Sequence, residues 1–138
     1  MVTVQEAMEL LDKLIATPSH SREESAVADI LEAFLHEKGV DVQRIHNNVW
    51  AVCAGFDATK PTLLLNSHHD TVKPSAAYTM DPYTPLHADG KIYGLGSNDA
   101  GASLVSLATV FCNNYRADLS YNLVLALTAE EEVMGERG

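Results

Sequence analysis

The chain has 138 residues, 46% of them hydrophobic and 20% charged, which suffices for one domain with a buried core and carries no disordered or fibrous bias. A formal net charge of −10, with no basic stripe, argues against nucleic acid as a partner and suits a metal dication or a cationic metabolite better. No stretch reaches the roughly 18 apolar residues of a membrane helix. The opening "MVTVQEAMEL" lacks the basic-then-apolar order of a secretory leader, and Cys53 and Cys112 sit among apolar neighbours as free thiols would. These features lead to the expectation of a cytoplasmic protein without a membrane partner.

Thr3 and Glu6 form a capping-box pattern, followed by apolar residues at Val4, Met8, Leu11, Leu14 and Ile15, which predicts a helix ending before Pro18. Ser21 and Glu24 repeat the pattern and predict a second helix through Val27, Ile30, Leu31, Phe34 and Leu35, with Gly39 as its C-terminal cap. Residues 40–45 and 49–54 are β-rich runs around "HNN", a hairpin. Residues 62–67 read as a third strand, apolar enough to be buried on both faces. Residues 73–90 read as loop, punctuated by Pro74, Pro82, Pro85 and Asp89-Gly90. A short strand at 91–93, the loop "GLGSNDAG", a helix at about 100–115 and a last strand at 121–128 complete the order. The alternation predicts an α/β fold with a mixed, mostly parallel central sheet flanked by helices. In such folds functional residues gather just beyond the carboxyl ends of strands.

Three polar clusters fall at such places: His68, His69 and Asp70; Asn98 and Asp99; Glu130, Glu131 and Glu132. Each has a plain structural explanation alone. The histidines could be a satisfied or solvent-facing pair, Asp99 a helix cap and the glutamates a solvated charge run. Jointly, an imidazole and several carboxylates form a donor set for zinc or a similar divalent ion. An aspartate two residues after a histidine can accept the ring's second N–H, and a carboxylate such as Asp99 can bridge two cations. Of adjacent glutamates, one can bind metal while its neighbour acts as general base, which makes metal-assisted hydrolysis the chemistry this set suits. A nucleotide-binding reading of "GLGSNDAG" meets Asp99 where a pyrophosphate would sit.

The ordered motifs "HHDTV", "MDPYTP" with "ADGKIYGLGSNDAG", and "LTAEEEVMG", together with "NNVWAV", resemble the co-catalytic zinc deacylases and carboxypeptidases. That family includes acetylornithine deacetylase, succinyl-diaminopimelate desuccinylase, aminoacylase and glutamate carboxypeptidase. The resemblance spans the whole chain and implies a zinc-exopeptidase-like catalytic domain. It implies His68 as a metal ligand, Asp70 as the residue orienting it and His69 as a bystander. Asp99 would bridge two zinc ions (cobalt or manganese as substitutes), with a cis peptide bond after it. Glu131 would be the general base and Glu132 a metal ligand, because "TAEEE" aligns with the family's Thr-Ala-Asp-Glu-Glu. Ala100, Gly101 and Ala102 stand where the family usually has Met-Lys-Gly.

The family's further carboxylate ligand, late histidine and inserted lid or dimerisation domain have no counterpart before Gly138. The resemblance therefore implies that residues 1–138 are the N-terminal part of a catalytic domain whose parent is a homodimer. The substrate expectation is an N-acyl amino acid, with the details of "NSHHDTVKP" and "GLGSNDAGAS" leaning to acetylornithine deacetylase. A related dipeptidase or desuccinylase, or a non-catalytic metal-binding or interaction module, is the alternative.

Overall fold

A computed structural model describes all 138 residues. Helices α1 (Val4–Ala16), α2 (Ser25–Glu37) and α3 (Ala102–Asn113) pack against a four-stranded sheet. Its strands are β1 (Val42–Ile45), β2 (Asn48–Val52), β3 (Thr62–His68) and β6 (Asn122–Thr128), in the order β1-β2-β6-β3. A separate hairpin joins β4 (Leu86–Ala88) to β5 (Lys91–Tyr93). The mixed sheet flanked by helices is as expected. The sheet is not mostly parallel, however: only β3 and β6 run parallel, whereas β1–β2 and β2–β6 are antiparallel, because a short hairpin joins β1 to β2.

Alternation places Leu123, Leu125 and Leu127 of β6 and Val49 and Ala51 of β2 on one sheet face. They join Leu10, Leu31, Leu35, Leu104 and Phe111 from the three helices in one continuous core. Strand β6 lies between β2 and β3, so its carboxyl end reaches the middle of the structure. The parallel register sets His68 opposite Thr128, and the chain leaves both strands at the same edge. That pairing brings two of the three polar clusters together.

Four further expectations need correction. Strand β3 is not buried on both faces: Leu63 and Leu64 are 50% and 57% exposed, because β3 is the outer strand and its neighbourhood is only partly covered. The 73–90 segment is not all loop, since Leu86–Ala88 pairs with β5 across Asp89-Gly90. Both turn residues have positive φ, 52° and 72°, as a tight hairpin turn requires. The third helix starts later than residue 100. Ser97–Gly101 form a wide irregular turn, with non-helical backbone at Asp99 and Ala100 and a cis peptide bond between them.

The fourth correction concerns α2. Ser21 and Glu24 do not form a capping box there; Glu24 is the N-cap residue, but no side chain caps the helix. Both side chains turn instead toward the strand ends. Elsewhere the capping signals hold. Thr3 Oγ1 accepts from Glu6 N–H, and Thr3 N–H donates back to Glu6. Gly39, at φ +77°, follows the end of α2, and Val40 N–H closes the turn on the Leu35 carbonyl.

Candidate metal centre

His68 ends β3, Asp99 lies in the turn before α3 and Glu132 follows β6. One ligand atom from each lies within 4.8 Å of the others. His68 Nε2 is 3.1 Å from Asp99 Oδ1 and 3.8 Å from Glu131 Oε2. On the other side of the ring, Nδ1–H donates to the Asp70 carbonyl at 3.1 Å and to its Oδ1 at 3.2 Å. Both Nδ1 neighbours are acceptors, which fixes the proton there and leaves the Nε2 lone pair facing Asp99. Burial opposes a charge on this ring, yet Asp70, Asp99 and Glu131 together raise its pKa above the ordinary histidine value. A cation between Nε2 and the carboxylates answers the same electrostatic demand as a proton on Nε2. The donor set of one imidazole and two carboxylates thus fits a divalent metal ion.

Asp70 is fully buried. Besides His68, it accepts from Ser21 Oγ–H at 2.7 Å, from Glu131 N–H at 3.1 Å and from Glu132 N–H at 3.1 Å. Burial works to raise its pKa, but the Ser21 hydroxyl, the two amides and His68 outweigh it and hold the carboxyl below its ordinary range. Glu132 goes the other way. Its burial, then the charge of Asp99, and also Glu131 and Asp70, push its pKa up. Carboxylates crowded this closely make a strong cation attractor.

The side chains of Asp99 and Glu131 are 74% and 59% exposed, open to solvent above the cluster. Beside them runs a cleft of about 240 Å³ lined by Thr71, Tyr78, Asn98, Asp99 and Glu132. The Asp99 turn is held from below: Ser103 Oγ–H donates to the Ala100 carbonyl at 2.8 Å, and Gly101 N–H donates to Gly96 O at 2.8 Å. A Cβ on Gly101 would stand 2.7 Å from both Gly96 O and Leu11, so the close packing of this turn favours glycine at that position.

His69 lies outside the cluster. It is buried, and its Nε2–H donates to the Asn47 carbonyl at 2.9 Å; burial lowers its pKa. Glu130 is also apart, with its Oε2 accepting from Arg137 N–H. Sequence reasoning did not assign Ser21, Glu24, Asn47 or Asn48 to this region. Ser21 and Glu24 carried a signal, but helix capping absorbed it; "HNN" read only as a turn.

An α/β domain with an imidazole–carboxylate cluster at its strand ends belongs to the class of folds that present cation sites from loops. Residues 64–138, more than half of the chain, match the model of peptidase family M20/M25/M40, and the chain belongs to this family. It is 30% identical to a succinyl-diaminopimelate desuccinylase of Delftia acidovorans, across 91% of this chain and 36% of that protein. A desuccinylase of Variovorax paradoxus is 32% identical, across 95% of this chain and 37% of that protein. These relatives carry the desuccinylase name, so the lean toward acetylornithine deacetylase gains no support from them. Human carnosine dipeptidase 1 shares the fold with a TM-score of 0.74 and 21% identity, over 96% of this chain and 33% of that one. So does a Bacillus subtilis M20-family protein described as a dinuclear metal-binding peptidase, at a TM-score of 0.69 and 17% identity, over 94% of this chain and 36% of that one. The chain spans about a third of the length of the relatives it matches. No helix is long and apolar enough to cross a membrane.

Proposed function

We propose that this chain contributes the first part of the active site of a metal-dependent amidohydrolase that removes the acyl group from an N-acyl amino acid. The observation that supports it is the convergence of His68, Asp99 and Glu132 to within 4.8 Å, with Glu131 beside them. In this reading residues 1–138 are the N-terminal part of a longer catalytic domain. His68 and Asp99 would hold one ion, and Asp99 and Glu132 a second, zinc in the first instance with cobalt or manganese as substitutes. Bound divalent ions supply Lewis acidity for the amide carbonyl and bring the pKa of water toward about 7.

The chain's own residues do the rest. Asp70 holds the Nδ1–H tautomer of His68, so that Nε2 stays a donor of electrons. Asp99, with two oxygens free of hydrogen-bonded neighbours other than His68, can face two cations. Glu131 accepts the proton of the attacking water and returns it to the departing amine nitrogen, a task that needs its exposed carboxylate near, but outside, the ligand set. The cleft lined by Thr71, Tyr78 and Asn98 adjoins Asp99 and Glu132 and offers the space for the acyl or amino-acid portion. Relatives named as desuccinylases favour a succinyl over an acetyl group.

The test is cobalt titration of the chelator-treated protein, with hydrolysis of N-succinyl and N-acetyl amino acids followed in parallel. His68→Ala, Asp99→Asn and Glu132→Gln should each weaken cobalt binding. Glu131→Gln should keep it while abolishing turnover in a protein of the family's full length. Failure of the parent protein to bind cobalt, or full activity in Glu131→Gln, defeats the reading.

A further inference from the structure

We propose that Glu24 is a positioning residue for the Glu131–Glu132 pair, fixing the backbone of the turn that carries both. The proposal rests on the metal-site reading for its functional meaning, but its geometric basis is separate. Four successive amides after β6 are each held by a side-chain oxygen from elsewhere in the chain. Ala129 N–H donates to Asn48 Oδ1 at 3.0 Å and Glu130 N–H to Glu24 Oε1 at 3.2 Å. Glu131 N–H and Glu132 N–H donate to the two oxygens of Asp70, both at 3.1 Å.

Glu24 has 0% exposure and no ion-pair partner, an expensive place for a carboxylate unless hydrogen bonds satisfy it. All its neighbours are donors: Arg22 N–H at 2.5 Å, Asn47 Nδ2–H at 2.8 Å and Glu130 N–H. The Asn47 carbonyl meanwhile accepts from His69, so Glu24 also ties the β1–β2 hairpin to the end of β3.

The bond to Glu130 falls where the backbone most needs support. Glu130 has φ +58°, a left-handed conformation at a non-glycine residue. That reversal turns the chain out of β6 and sets the directions in which Glu131 and Glu132 leave it. Asp70 holds the two following amides, so two buried carboxylates grip three successive residues. An interior glutamate would not be needed to cap α2, since the helix takes no cap bond from it. Its carboxylate is spent on the turn instead.

Glu24→Gln tests this with little change of shape, because the amide places an NH₂ against at least one of three donors. In the metal-free protein, hydrogen exchange at the Glu130, Glu131 and Glu132 amides should accelerate about fivefold or more relative to the β6 amides. Cobalt affinity should fall about 10- to 100-fold, with an altered visible cobalt spectrum. If Glu24→Gln does not fold, Asn47→Ala, which removes one donor to Glu24, should accelerate the same amides to a smaller extent. Unchanged exchange at the turn, acceleration no greater than along β6, or an accelerated turn with unaltered cobalt affinity and spectrum would each overturn the proposal. Absence of cobalt binding in the parent protein instead overturns the metal reading, and exchange still decides whether Glu24 holds the turn.

Discussion

Thr3-x-x-Glu6 and Ser21-x-x-Glu24 are the same signature in the sequence, yet they do different things. At α1 the pair satisfies the helix's own first amides, and Glu6 also receives Lys38 Nζ at 2.8 Å. Ahead of α2 the pair ignores the helix. Ser21 donates to Asp70, 49 positions away, and Glu24 accepts from Glu130, 106 positions away. The first pair stands at a solvent-exposed helix end, where the nearest unsatisfied groups are local. The second lies beneath two converging strand ends, whose loops present a buried carboxylate and a row of unpaired amides. Local pattern decides which groups can hydrogen-bond, and tertiary position decides with what.

The largest effect expected from breaking the second region comes from its centre. Asp70→Ala strands buried donors from Ser21, Glu131, Glu132 and His68, and should cost about 3 kcal/mol in urea denaturation. Cobalt affinity should fall with it by about 10-fold or more, because His68 loses its orienting partner. A variant as stable as the parent would show that the Asp70 network is dispensable.

The two hydroxyls of the matched signatures give a sharper contrast at smaller cost. Thr3→Ala removes an N-cap and should lower stability by about 1 kcal/mol while leaving cobalt affinity unchanged. Ser21→Ala should cost a similar 1 kcal/mol or so, and in addition weaken cobalt binding several-fold. Equal cobalt affinities in the two variants would erase the distinction between a capping and a site-building signature.

The smallest expected effect is a pH dependence confined to the first region. The Lys38 hydrogen bond, then the Thr3 amide and hydroxyl, lower the Glu6 pKa from 4.5 to about 2. A carboxyl depressed in the folded state adds stability above its unfolded pKa and loses that contribution as pH falls through the folded one. The Glu6 contribution should therefore be complete above 4.5 and fade between there and about 2. Glu6→Gln should lower the melting temperature slightly at neutral pH and remove that segment of the acid profile; a profile superimposable on the parent's would place the stabilisation elsewhere.

The legible part of this molecule was what short-range pattern and strand-end logic can carry. The helical periodicities, the 40–54 hairpin and the strand at 122–128 all emerged close to their observed limits. His68, Asp99 and Glu132 were named from chemistry, motif order and resemblance, and they lie within a few ångströms of one another. Strand β4 was missed, although its partner at 91–93 was read as a strand, because three residues amid prolines carry too little periodicity to detect. The exposure of Leu63 and Leu64 was missed because an apolar run reports the composition of a strand and not its place in a sheet.

The sequence by itself determined most of the inventory: every element but β4, the family and the residues with the chemistry to bind a cation. Only the tertiary structure decided how they serve one another. Parallel pairing of β3 with β6 puts His68 and the glutamates at one edge, and that edge turns Ser21 and Glu24 away from their helix. The physical reason is that a buried hydrogen-bonding group must find a partner wherever the fold leaves one. Groups scores of residues apart can meet that demand only after the chain has folded.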